Sequence, residues 1–269
     1  MQAMINYVAR GQGRMRYFAN DSSRDTVVLA PQPMVIREAR TEGTSLDREG
    51  FALVPHPSAV ADFADSAEVA RIHPAEIEAL VKQVSGADSV VVAGTGVLRF
   101  AERSAQSGAL DNSRPARFAH VDVSDVTAAQ FSQRSLPEDG GGAAPRRVAH
   151  YNIWRAISAA PQDVPLALCD ARSVAPEDLL TADAIFDRDG VEVWSFEGLV
   201  VAHSPAHRWH WFRDLGCDEV ILFKTNDSDP ECAHSVPHVA FNDPDCPADA
   251  PPRASIEMRA IAYWFPEPS

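Results

Sequence analysis

The sequence predicts a mainly β member of the α+β class, a jelly-roll-like barrel preceded by an N-terminal helical layer. Three observations carry this expectation. Short apolar runs separated by turn residues recur in the second half, at 191–194, 199–203, 219–224 and 254–264, as they do in sandwiches and barrels. Helical spacing of apolar residues is concentrated in a block at 58–88. The last run alternates, with Arg253, Ser255, Glu257 and Arg259 on one face and Ala254, Ile256, Met258 and Ala260 on the other, because successive side chains of a strand point to opposite faces. At 269 residues, 45% apolar and 23% charged, the chain suits one domain spanning 1–269, since barrels of this size commonly stay undivided.

Taken in order, residues 1–50 mix apolar pieces at 26–30 and 34–36 with polar turns, and read as an N-terminal arm containing strands. Ala59, Val60, Phe63 and Ala64, then Val69, Ile72, Ile77, Leu80 and Val81, predict two helices within 58–88, with Pro74 near the start of the second. Residues 89–94 form a short strand that 98–100 extends past a turn, and 128–135 are helical. The tract 137–145, with Gly140, Gly141 and Gly142 at its centre, is a loop, either a plain linker or a mobile lid. Strands at 151–155 and 164–172, a short helix start at 175–180 and the runs that follow complete a barrel core over 115–264.

Acidic residues outnumber basic ones 38 to 24, for a net charge of −14. That balance argues against nucleic acid and for a small-molecule substrate. Apolar runs fall short of the roughly 18 residues that span a bilayer, and the N-terminus lacks the basic-then-apolar order of a signal peptide, so no membrane association and a cytoplasmic location are expected. Cys169, Cys217, Cys232 and Cys246 show no CxxC spacing and read as reduced thiols.

Within 117–124, His120 and Asp122 stand two apart after an apolar lead-in, which places an imidazole and a carboxylate on one face of a strand. A third ligand must come from afar. His238 is preferred because it heads the apolar run 239–241, whereas His234 lies among loop residues. His203 and His207 flank Pro205, which argues against the helix that a four-residue His pair would need. Two histidines and one carboxylate, followed by Arg253 and Ser255, form the pattern of non-haem Fe(II) oxygenases, in which the metal keeps positions open for other ligands. Trp154, Arg155 and Trp209 are candidate substrate contacts, although large aromatics in barrels are commonly core. Arg155 could instead pair with Asp170.

The ordered strings at 46–51, 151–155, 164–174, 207–209, 218–228, 238–241 and 253–259 resemble the hydroxylase/desaturase family of the AsaB, CmcJ and NvfI type, which includes gibberellin desaturase-like enzymes. The likeness covers about four-fifths of the chain. It implies a double-stranded β-helix with Fe(II) and 2-oxoglutarate, and oxidation of an unactivated C–H bond by dioxygen through hydroxylation or desaturation. In that setting His120, Asp122 and His238 hold the metal. Arg253 and Ser255 supply the guanidinium and hydroxyl that the far carboxylate of the co-substrate requires, and Arg259 forms a structural ion pair with Glu257. Where family members carry Tyr or Phe within a Lys-Xaa-(Tyr/Phe)-Asp-Ser string, this chain has Asn226. Two other readings fit the same residues: a non-catalytic accessory protein that binds a partner oxygenase, and a cupin-like metalloenzyme without an oxo acid.

Overall fold

The computed structural model describes residues 1–138 and 143–266, so the glycines at 140–142, at the centre of the loop expected as linker or lid, lie outside the described residues. In chain order the strands are β1 (Gln2–Val8), β2 (Met15–Phe18), β3 (Leu29–Glu38), β4 (Phe51–Pro55), β5 (Ser89–Phe100), β6 (His120–Val121) and β7 (Arg147–Ala156). They continue with β8 (Leu166–Cys169), β9 (Leu179–Arg188), β10 (Val191–Val201), β11 (Trp209–Trp211), β12 (Glu219–Asp227), β13 (His238–Ala240) and β14 (Ala254–Trp264). Among the described residues two α-helices accompany them, α1 (Ser66–Ser85) and α2 (Asp125–Arg134). A nine-stranded sheet runs β1-β3-β11-β8-β13-β6-β10-β9-β2, and a five-stranded sheet runs β4-β12-β7-β14-β5. This is the expected jelly-roll architecture.

The alternation read in 253–264 sets how the layers meet. Met258, Ala260 and Ala262 of β14 join Ile77, Leu80 and Val81 of α1 in one buried cluster, so the helix covers the outer face of the five-stranded sheet. Between the sheets, Phe51, Trp154, Ile221 and Phe223 pack on Leu166 and Leu168 of β8. The polar side chains of β14 therefore point inward, between two apolar layers, rather than to solvent.

The helical block differs from expectation. One helix, not two, occupies it, and Pro74 lies inside. Asp65 caps its start by accepting from the amides of Ala67 and Glu68, and Gly86 ends it in the left-handed region at φ 66°. Pro74 removes one backbone hydrogen bond. Burial of Val69, His73, Ile77, Leu80 and Val81 along a single stripe holds both halves against the sheet, which outweighs that loss. The N-terminal arm contains strands, as read from the sequence. Its strands occupy both edges of the nine-stranded sheet, with β3 parallel to β11 through Ile36 and Trp209 and β2 parallel to β9 through Tyr17 and Ala184. No described helix is long and apolar enough to cross a membrane.

Helix α2 starts at Ser124, whose Oγ accepts from the Thr127 amide, and ties to the five-stranded sheet through Ser132. The Ser132 hydroxyl lies 2.8 Å from Nε2 of His150, and its carbonyl accepts from the Tyr263 hydroxyl at 3.0 Å. Burial pushes the His150 imidazole down to about 4. The unfolded chain, with its ordinary histidine value, then binds more protons than the folded one between about pH 6.5 and pH 4. Stability contributed by neutral His150 is thus present above pH 6.5 and lost as pH falls toward 4, on the order of 2–3 kcal/mol. Urea titrations across this range should show a shallower acid loss in His150→Gln than in the wild type.

Candidate metal centre

Strand register builds the site. His238 of β13 and His120 of β6 are direct antiparallel partners, so their rings meet with centroids 4.2 Å apart. Asp122 follows β6, and its Oδ1 lies 3.6 Å from His120 Nε2 and 3.5 Å from His238 Nε2. All three side chains are buried, and one ligand atom of each lies within 4.8 Å of the others. The two-residue spacing on the first strand and the apolar run after His238 thus bring the three together.

The backbone determines which nitrogen faces the cluster. Nδ1 of His120 donates to the Phe118 carbonyl at 3.0 Å, and Nδ1 of His238 donates to the Val236 carbonyl at 3.1 Å. Each bond is to the residue two positions earlier. With both Nδ1 atoms protonated, each Nε2 presents a lone pair to the shared point, an arrangement typical of metal-binding imidazoles. Burial, and the charge His238 would carry, push the His120 imidazole down, so it stays neutral.

Asp122 is oriented from the other sheet. Its Oδ2 accepts from Asn152 Nδ2 at 3.0 Å and from Arg259 Nε at 3.1 Å, and Asn152 and Arg259 are cross-strand partners on β7 and β14. Burial acts to raise this carboxyl, but the Arg259 guanidinium outweighs it and holds the group well below the usual carboxylate range. Arg259 continues to Glu257 at 3.0 Å, and Glu257 to Arg99 at 2.8 Å. The Glu257 pair was legible in the sequence. The bond to Asp122 was not, because residues 137 apart reveal no contact without the fold.

A small cavity beside the cluster is lined by His120, His238, Trp154, Arg253 and Glu257. Arg253 is 1% exposed, its guanidinium makes no hydrogen bond to a described residue, and its Nε is buried without a partner. The guanidinium lies over the Trp154 ring at 5.5 Å. Burial pushes its pKa down to about 10. Ser255, on the same face of β14 though outside the residues lining the cavity, also has a fully buried Oγ with no partner. Such orphaned donors are rare in folded proteins and signal a missing acceptor.

Two of the three candidate substrate contacts lie elsewhere. Arg155 donates to the carbonyls of His56 and Cys217 and contacts His56 Nδ1, which fixes the 52–58 segment to β7. Parity explains this, because Arg155 follows Trp154 and so faces away from the sheet interface. Asp170 pairs with Arg172 and Arg208 instead. Trp209 donates to the Tyr7 hydroxyl at 2.7 Å and is core. Trp154 alone reaches the site. Among the other histidines, His234 bonds Asp125 and the Asp227 carbonyl at the surface, and His207 is held by Tyr7 and Asp178. Asn226 bonds Asp125 and His234, apart from the metal cluster. A second acidic group, Asp47, Asp227 and Cys232, surrounds the buried Lys224 ammonium, which already balances it at 2.8 and 2.6 Å.

A family model described as an oxidoreductase/YMDC permease-like domain matches residues 5–263. The hydroxylase/desaturase CTB9 of Cercospora beticola is 32% identical over 237 residues, covering 82% of this chain and 72% of that protein. The chain belongs to this oxidoreductase family of hydroxylases and desaturases. Also similar is the Fe(II)/2-oxoglutarate-dependent dioxygenase nvfI of Aspergillus novofumigatus, 29% identical over 200 residues, 74% of this chain and 69% of that one. A solved structure of the iron and alpha-ketoglutarate-dependent endoperoxidase NvfI superposes with a TM-score of 0.84 at 25% identity, over 99% of this chain and 98% of that chain. The hydroxylase/desaturase fold thus extends over both sheets and the N-terminal strands.

Proposed function

We propose that this hydroxylase/desaturase is an Fe(II)/2-oxoglutarate-dependent oxygenase in which His120, Asp122 and His238 hold the iron and Arg253 with Ser255 anchors the co-substrate. The observation that carries the reading is the pairing of a preset donor set with an unsatisfied anchor. Two Nε2 atoms and one Oδ1 converge, as a two-His-one-carboxylate iron site requires. Beside them lies a buried guanidinium with no hydrogen-bond or ion-pair partner among the described residues. Fe(II) with a bound 2-oxo acid supplies dioxygen activation for oxidising an unactivated C–H bond, by hydroxylation or desaturation of a small metabolite.

The chain's own groups prepare that chemistry. Phe118 and Val236 carbonyls fix the imidazole tautomers, while Asn152 and Arg259 take one oxygen of Asp122 and leave the other for the metal. Trp154 supports the Arg253 guanidinium from one side, so its free N–H groups are directed at the cavity. The orphaned Arg253 favours an oxo-acid enzyme over a cupin-like site without one, because a buried unpaired charge is costly unless a ligand answers it.

The test is an anaerobic titration with Fe(II) and then 2-oxoglutarate. A visible metal-to-ligand charge-transfer band, appearing only with both, is expected. Stoichiometric iron with no band on adding the oxo acid would reject the co-substrate. Arg259 offers a sharper check, since it bonds a proposed metal ligand. Arg259→Leu should weaken iron binding by roughly ten- to a hundredfold, the usual cost of losing an outer contact to a ligand. Chelator competition reads that shift directly, and unchanged affinity would reduce Arg259 to a partner of Glu257.

A further inference from the structure

A cavity of about 720 Å³ opens from the metal-ligand cluster, and the N-terminal arm forms one of its walls. Its apolar lining is rich in rings, including Phe18, Phe118, Phe186 and Phe196. Phe186 and Phe196 stack at 5.7 Å and 25°, and Trp194 lies 4.9 Å from Phe186 at 11°. Volume and lining suit a rigid, ring-bearing apolar molecule.

Most polar side chains that reach this cavity are already committed. Asn20 donates to Asp187, Arg99 to Glu257, Arg117 to Asn242 and Arg259 to Asp122. Arg114 is uncommitted but exposed. The Tyr17 hydroxyl makes no hydrogen bond to a described residue, and it stands next to the metal cluster. Its ring meets Phe118 edge-on at 5.1 Å, and Phe118 in turn lies 5.6 Å from the His120 ring. A Cβ placed on Gly198 of β10 would come within 2.8 Å of the Tyr17 oxygen and 3.1 Å of the Asp122 carbonyl. Glycine at 198 thus leaves room for a phenol beside Asp122. Burial pushes the Tyr17 phenol up, so it remains a neutral donor at working pH.

We infer that Tyr17 is a specificity-determining residue, whose phenol donates to a carbonyl or ether oxygen of an apolar, ring-bearing substrate and so selects which C–H bond faces the metal. The inference rests on the iron-site reading above and adds the substrate class. No covalent step is assigned to Tyr17.

Two rigid tricyclic probes that differ only at one carbon test it, 9-fluorenone with its carbonyl and fluorene with a methylene. Equilibrium dialysis against the iron- and 2-oxoglutarate-loaded protein, kept anaerobic, measures binding without turnover. The wild type should bind fluorenone roughly three- to tenfold more tightly than fluorene, the worth of one neutral hydrogen bond. In Tyr17→Phe the ratio should fall to one with fluorene affinity unchanged, and Gly198→Ala, which displaces the phenol, should also lose the preference. An equal ratio in wild type and Tyr17→Phe, or no binding of either probe to the loaded wild type, would overturn the assignment. Iron and 2-oxoglutarate content are measured on the same samples. If both are normal, a failed ratio counts against Tyr17 alone, whereas a wild type that takes up no iron overturns the metal reading and this one with it.

Discussion

His238→Ala should lose its iron and its turnover while keeping its fold. Removing one of three ligands should weaken the metal by more than about a hundredfold, beyond the ten- to hundredfold cost of an outer contact. The same holds for His120→Ala, since among the described residues each ring makes one hydrogen bond, to a backbone carbonyl. His234→Ala should keep full iron, because that ring bonds Asp125 and the Asp227 carbonyl. Elemental analysis of the three purified variants, alongside thermal unfolding, decides the matter, and iron at wild-type level in His238→Ala would sink the triad. Asp122→Ala is a poorer probe. It strands the Arg259 and Asn152 donors, and breaking a buried ion pair costs about 3–5 kcal/mol, so unfolding would obscure metal loss.

Arg253→Met should have two effects of opposite sign. Affinity for 2-oxoglutarate should fall roughly ten- to a hundredfold, the worth of a charge-assisted bond, with iron binding retained because Arg253 contacts none of the three ligands. Stability without ligand should rise. The folded state depresses the Arg253 pKa to about 10, so the unfolded chain holds that proton more tightly and the charged form is penalised in the fold at every working pH. Replacing it by an apolar side chain should recover about 1–3 kcal/mol, or a rise in Tm of some 2–4 °C per kcal/mol. Differential scanning calorimetry with and without Fe(II) and 2-oxoglutarate separates the two. A lower Tm for the unliganded variant would mean that the guanidinium supports the fold rather than awaiting a ligand.

The parts of this site that were legible in the sequence are those with a period. His120 and Asp122 follow strand parity, His238 heads an apolar run, and the two faces of β14 can be read off its alternation. Groups that act through the backbone left no signal. The carbonyls of Phe118 and Val236 fix the imidazole tautomers, yet any residue could supply a carbonyl. Contacts between distant strands were equally hidden. Arg259 read as a partner for Glu257 but not for Asp122, and Arg155 read as a ligand contact because its buried carbonyl acceptors arise from 56 and 217. In the helical block, local chemistry misled. Pro74 suggests a helix start, and only the stripe packed on β14 shows that one helix runs through it.

The arm's placement bears on how the chain acquires its structure. Tyr17 waits for Ala184 and Ile36 for Trp209, so these strands meet those partners only after more than 140 further residues have been made. Until then β1 and β3 can pair only with each other, and a lone hairpin is marginal in water. Long-range pairing of this kind slows folding and leaves apolar strand edges open to other chains. The wall that carries Tyr17 should therefore close only once β9 is in place, and the cavity should become competent for ligand no earlier than that pairing.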